Sequence, residues 1–122
     1  NLLMPYGWFK EACQTTSFNL VSLKQIFSTA SWEAIAYRTL TFREGVITVV
    51  DNGKATNRVG SMGYNYPPDL THTERLALHQ AMSGGEILTL EQSGMTVEAY
   101  PIFEEDWKRV ILAAHPSYRD RS

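Results

Sequence analysis

The sequence predicts an α+β fold, in which a helical first third is followed by a small antiparallel β-sheet with one covering helix. Three observations support this prediction. Apolar residues recur at helical spacing before Gly45, β-branched runs replace them after it, and turn residues separate the later runs. We therefore divide the chain into a helical connector, residues 1–43, and a small α+β domain, residues 44–122.

The first third is predicted to hold short helices. Pro5 ends or restarts a helix, and Asn19 and Ser31 are N-cap residues for the two helices that follow. Glu33 lies in the first turn of the last helix, where a carboxylate favours the positive helix end. Because about three residues separate the last two helices, the pair has the spacing of a helix-turn-helix. The apolar stripes of the first two helices contain Trp8, Phe9, Ala12, Cys13, Leu20, Leu23, Ile26 and Phe27.

A β-hairpin is predicted directly after the helices. Residues 46–50 are mostly β-branched, and Asn52-Gly53 provides the two positive-φ residues of a type I′ turn before a second strand at 54–59. Glycines and the Pro67-Pro68 pair then indicate a loop.

The remainder is predicted to form one helix and three strands. Thr71 and Glu74 match a capping box, and the helix that they open runs to about Met82 before Gly84-Gly85 ends it. Apolar or alternating runs at 87–90, 95–100 and 107–114 indicate strands, with reversals at 92–94 and 104–106. This order favours a small antiparallel sheet with a helix on one face.

The composition is that of an ordinary folded domain. Of 122 residues, 43% are hydrophobic and 11% aromatic, enough for one moderate core or two small ones. The formal net charge of -2 does not by itself indicate a nucleic-acid or membrane surface. The single cysteine, Cys13, cannot form an internal disulfide, which favours a cytoplasmic protein with a buried, inert thiol.

The residues that catalysis needs are not grouped in the sequence. His72 and His79 are too far apart along one helix to bind the same zinc ion side by side, and Glu74 is first of all a capping residue. Cys13 has no histidine near it in the sequence. We therefore predict no catalytic residue, no metal site and no cofactor in this chain.

Two sets of residues remain as binding candidates. The helix pair could contact DNA or a partner protein. Its few basic side chains predict only weak, salt-sensitive DNA binding. The alternative is that the helix pair has a purely structural packing role. The aromatic residues of the second part could line a small-molecule pocket or simply form a core. The basic set is Lys24, Arg38 and Arg43, and the pocket set is Met62, Tyr64, Tyr66, Tyr100, Phe103 and Trp107.

Two strings in the first third, "NLLMP" at 1–5 and "SWEAIAYR" at 31–38, resemble the region that follows the catalytic helices in the ImmA/IrrE family of zinc metallopeptidases. In that family, a helix with the H-E-x-x-H zinc motif precedes a second helix, which supplies another ligand and ends in a Leu-Met-Pro segment. The resemblance implies that this chain is the non-catalytic C-terminal region of such a protein. It also implies that the second part is similar to a GAF-like sensor module.

The resemblance further implies a parent protein that cleaves a cytoplasmic repressor in response to stress or a developmental signal. This region would position the repressor or sense an effector. A weakly DNA-binding helix-turn-helix regulator and a stand-alone enzyme are the alternatives. Separation from a preceding peptidase domain should leave an apolar N-terminal end under-covered, so we expect a homodimer through this end. The residues concerned are Leu2, Leu3, Met4, Trp8 and Phe9.

Overall fold

A five-stranded antiparallel sheet forms the centre of the molecule, with helices on both of its faces. The structure is a computed structural model that describes residues 4–117. In chain order the elements are α1 Tyr6–Thr16, α2 Leu20–Ile26, α3 Trp32–Thr39, β1 Val46–Asp51, β2 Lys54–Gly60, α4 His72–Gly84, β3 Leu88–Gln92, β4 Met95–Glu104 and β5 Trp107–Pro116. The strand order is β2-β1-β5-β4-β3. The predicted α+β class is thereby confirmed.

Alternate residues of the strands face different helical layers. Ile47 and Val49 of β1 join the apolar cluster of α1, α2 and α3, whereas Val46 and Val50 pack in the cluster of α4. Helix α4 is the covering helix that the sequence predicts, and the first three helices add a layer on the opposite face. The continuous apolar run of β1 is typical of a strand covered on both faces.

The predicted helix ends are confirmed. The side chains of Asn19 and Ser31 accept hydrogen bonds from the backbone N–H groups three residues later, each at 3.0 Å. Thr71 and Glu74 form both hydrogen bonds of the capping box at the start of α4. Gly85 ends α4 with a φ of 68°, a conformation that glycine adopts without steric cost.

The predicted turns also form. Asn52 and Gly53 have φ values of 52° and 84° between β1 and β2. Strand β4 continues past the predicted residue 100 to Glu104 and includes Pro101. Proline lacks an N–H, and it is tolerated here because β3 pairs with β4 only as far as Ala99, so that Pro101 lies on an edge.

The apolar N-terminal end is covered more completely than the sequence suggests. Met4 and Phe9 are 2% and 0% exposed, so the expectation of under-covered side chains is wrong for both. Phe9 packs against Phe27, with ring centroids 5.2 Å apart. Trp8 is 57% exposed, as expected. Leu2 and Leu3 lie outside the described residues, and self-association through this end stays a prediction.

No helix within residues 4–117 combines the length and the apolar character that crossing a bilayer requires.

Candidate functional site

The three basic residues proposed for DNA or partner contact are engaged with their own chain. The Lys24 ammonium donates to the backbone carbonyls of Ser28 and Ala30, at 2.9 and 2.7 Å, after the end of α2. Arg38 Nη2 donates to the carbonyl of Met4 at 3.3 Å. Since both side chains serve local structure, the arrangement does not favour a basic surface for DNA.

Arg43 also has an internal role. Its Nη2 lies 3.4 Å from Glu98 Oε1, and its guanidinium packs over the ring of Phe18 at 4.5 Å. The side chains of Arg43 and Glu98 are 15% and 19% exposed. Arg43 therefore connects the segment after α3 to β4.

The aromatic residues proposed for a small-molecule pocket are distributed over several places. Met62 is fully exposed, and Tyr100 is buried among the helices α1 to α3 on one face of the sheet. Phe103 lies below the Lys108 ammonium at 5.3 Å, and Trp107 lies 4.3 Å from the guanidinium of Arg109. The structure does not bring these four predicted residues together.

Tyr64 and Tyr66 do come together. Their rings are stacked, with centroids 6.4 Å apart and planes 14° apart. They border a cavity of about 200 Å³ on the α4 side of the sheet, which we call the tyrosine cavity. Its other lining residues are Val46, Arg58, Asn65, Pro67, Thr71, Glu74, Met95 and Ala114.

The apolar residues of the tyrosine cavity come from the sheet. Val46 of β1 and Ala114 of β5 are neighbours in the strand register and are 2% and 3% exposed. Met95 begins β4, and its sulfur accepts a hydrogen bond from the Tyr64 hydroxyl at 3.6 Å. Tyr66 is 37% exposed and forms part of the outer wall. The cavity is thus mostly apolar, with one wall in contact with solvent.

Arg58 of β2 and Glu74 of α4 form a buried ion pair at the border of this cavity. Arg58 Nη1 and Nη2 donate to Glu74 Oε2 and Oε1 at 2.8 and 3.1 Å, and the two side chains are 10% and 1% exposed. Glu74 Oε1 also accepts from the backbone N–H of Thr71 at 2.9 Å. One carboxylate therefore caps the helix and neutralises the arginine.

Arg58 also holds the loop that closes the cavity. Its Nε donates to the carbonyl of Pro67 at 3.0 Å, and its guanidinium lies 5.5 Å from the ring centre of Tyr66. Nη1 donates to Thr48 Oγ1 at 2.6 Å. Gly60 also approaches Tyr66 closely, because a Cβ at position 60 would lie 2.1 Å from the ring. Tyr66 therefore packs against two residues of β2, Arg58 and Gly60.

A second charged cluster joins α3 to the sheet. Arg109 of β5 donates to both carboxylate oxygens of Asp51, at 2.7 and 3.2 Å, and pairs with Glu33. The hydrogen bonds from Arg109 lower the pKa of the Asp51 carboxyl, and those to Asp51 raise the pKa of Arg109. Glu33 of α3 and Asp51 of β1 share the guanidinium of Arg109, so this cluster connects α3 to the sheet and is structural.

The predicted burial of Cys13 is confirmed. Cys13 is fully buried, and burial raises the pKa of its thiol to about 11. His72 and His79 are both exposed on α4. Among residues 4–117, no three His, Cys, Asp or Glu side chains are close enough to hold a metal ion.

Sequence reasoning missed the role of Arg58 and assigned Glu74 only its capping role. One signal was present, namely the polar residue Thr48 inside the apolar run of β1. Thr48 is 0% exposed, and a buried hydroxyl needs a hydrogen-bond partner. In the β1–β2 register that partner is Arg58, directly opposite.

Comparisons of the chain with protein-family models, with curated proteins and with solved structures found no match. The geometry of the tyrosine cavity and the motifs of the first third are therefore the basis for assigning a function.

Proposed function

We propose that this chain is the non-catalytic, effector-sensing regulatory region of an ImmA/IrrE-like metallopeptidase, acting in the cytoplasm. The family part of the proposal is supported by the "NLLMP" and "SWEAIAYR" strings. The sensing part is supported by one observation above all, the mostly apolar tyrosine cavity with its fixed polar border. Concave apolar sites with a few oriented polar groups are the usual form of small-molecule sites.

The position of the cavity suits a sensor. A ligand there would touch the loop before α4 and the apolar residues of β1 and β5 at once. The same two strands carry Ile47 and Ile111 on their other face, within the cluster of α1 to α3. A change in the packing of β1 and β5 can thus reach the helices that, in this proposal, adjoin the preceding peptidase domain and position the repressor.

The alternative of a DNA-binding helix-turn-helix module is less well supported, because Lys24, Arg38 and Arg43 already have acceptors or partners within the chain. It predicts gel shifts at low salt that disappear steeply as salt rises. It also predicts that Arg38→Ala weakens those shifts.

The sensing proposal is tested in the parent protein by following the cleavage of its repressor. Ala114→Leu places additional side-chain volume in the tyrosine cavity, and it should remove the response to the effector while the basal cleavage rate is kept. Ala55→Leu, at an exposed position of β2, is the matched control. An unchanged response in Ala114→Leu contradicts the proposal, as does peptide hydrolysis by the isolated chain with added zinc.

A further inference from the structure

We infer that the tyrosine cavity binds a neutral, planar molecule with a single aromatic ring and one small polar substituent. This inference rests on the proposed sensing function and specifies its ligand. It follows from the size of the cavity, the chemistry of its walls and the charge balance at its border.

The volume of the cavity suits a ligand with one ring. The cavity has a volume of about 200 Å³. An apolar protein cavity of about 150 Å³ is known to accommodate benzene. The additional volume here accommodates one small substituent, and any larger part of a ligand would extend past the 37% exposed Tyr66 into solvent.

The walls favour an aromatic ring. The ring planes of Tyr64 and Tyr66 are only 14° apart, so the two aromatic faces have nearly the same orientation. Aromatic pairs gain attraction in offset-stacked or edge-to-face arrangements in addition to the area that they bury. Met95 adds a thioether, which makes favourable contacts with aromatic rings. A saturated ring of equal size lacks these aromatic contacts.

The charge balance excludes ionic ligands. Among the described residues, Arg58 and Glu74 are the charged side chains that line the cavity, and they neutralise each other through two hydrogen bonds. A carboxylate or ammonium brought into this site would lose its water without gaining an unpaired counter-charge. Burying an uncompensated charge is much more costly than burying a neutral polar group.

The border offers a donor for one neutral acceptor. A guanidinium carries five N–H groups, and the four hydrogen bonds of Arg58 within residues 4–117 go to Thr48, Pro67 and twice to Glu74. One N–H of Nη2 has no acceptor among the described residues, and in this inference it donates to the ligand oxygen. A hydroxyl or carbonyl substituent on the ring suits it.

The experiment is an NMR titration of the isotope-labelled chain with four probes of similar size. Phenol represents the inferred class, cyclohexanol lacks the flat ring, benzoate is an anion, and benzylammonium is a cation. We expect phenol to shift the signals of Tyr64, Tyr66 and Ala114 with a Kd on the order of 1 mM, the range for so small a ligand. The dissociation constants of the other three probes should be at least about tenfold higher than that of phenol.

Two variants locate the binding. Tyr66→Ala removes the outer wall and should weaken phenol binding about fivefold or more, the order expected for the loss of one aromatic contact. Tyr6→Ala is the matched control, since Tyr6 is a 59% exposed tyrosine on α1. The spectrum of each variant shows whether it is folded, so that a loss of binding can be separated from a loss of structure.

The outcomes separate the ligand class from the sensing function. Binding of benzoate or benzylammonium at the same residues, as tight as that of phenol, overturns the inferred class and leaves the sensing function in place. Phenol shifts that are insensitive to Tyr66→Ala overturn the site. If no probe perturbs the cavity residues, the sensing function loses its site together with the inferred ligand.

Discussion

Arg58 and Glu74 form a bidentate ion pair that joins the edge strand β2 to the first turn of α4. The pair lies under the loop that closes the tyrosine cavity, and Arg58 holds that loop through the Pro67 carbonyl. The stability of the fold and the shape of the candidate site therefore depend on the same side chain.

Replacing Arg58 by methionine should lower the free energy of unfolding by about 3 to 5 kcal/mol, because the 1% exposed Glu74 carboxylate loses its counter-charge. Urea denaturation at pH 7 measures this loss. Arg75→Met, at an exposed position of α4, is the control and should change stability by less than about 0.5 kcal/mol. Equal effects of the two substitutions would show that the ion pair has no special role.

The Asp51–Arg109 pair should contribute less, because each side chain is 18% exposed and solvent screens the attraction. A double-mutant cycle with Asp51→Asn and Arg109→Gln should give a coupling energy of about 1 kcal/mol. We expect the coupling to shrink in 0.5 M salt, on the scale set by a Debye length below about 10 Å. A coupling that does not depend on salt contradicts this account.

His115 should make stability fall as pH is lowered. Burial, followed by the Arg43 charge, lowers its pKa from the ordinary value of 6.5. The unfolded chain therefore binds a proton first, and stability is lost as pH falls below 6.5 toward the folded-state pKa. Urea denaturation at several pH values between about 5 and 8 covers this window. His115→Gln should flatten the profile there, and a profile that this substitution leaves unchanged contradicts the account. The carboxyl of Asp51, with its lowered pKa, acts at more acidic pH and does not obscure the effect.

The thiol of Cys13 should be unreactive in the folded protein. A rise of its pKa from 9.0 to about 11 reduces the thiolate fraction at pH 8 by about 100-fold, and the buried sulfur is in addition inaccessible to a reagent. Labelling with a disulfide reagent should therefore be slow in buffer and fast in denaturant. Rapid labelling of the folded chain would indicate that α1 opens readily.

Gly60→Ala should disturb the cavity wall. The added Cβ would overlap the Tyr66 ring at 2.1 Å, so the ring must move, and we expect a loss of about 1 to 3 kcal/mol. Gly7→Ala, in α1, meets nothing within 4 Å and should stabilise the protein by about 0.5 to 1 kcal/mol. A shift of the Tyr66 ring signals in the NMR spectrum of Gly60→Ala would show that movement of this ring causes the loss of stability. Unchanged ring signals and unchanged stability in Gly60→Ala would contradict the close packing.

Local features were predictable from the sequence because their causes lie within a few residues. Asn19 and Ser31 cap helices through their own side chains, and Asn52-Gly53 turns the chain through its own φ values. The buried state of Cys13 also agreed with its residue type. The candidate pocket was only partly predicted: the sequence identified Tyr64 and Tyr66, yet grouped them with Tyr100, which packs on the other face of the sheet.

The sequence by itself determined the α+β class, the helix caps and the hairpin, since backbone preference and short-range hydrogen bonds act along the chain. Only the tertiary structure decided that the first three helices cover the second face of the sheet, that Arg58 meets Glu74, and that two tyrosines border a cavity. Those contacts join residues far apart in the chain, and periodicity reports which residues are apolar but not which surfaces meet. Strand pairing and the packing of helices on both faces of the sheet determine which surfaces meet.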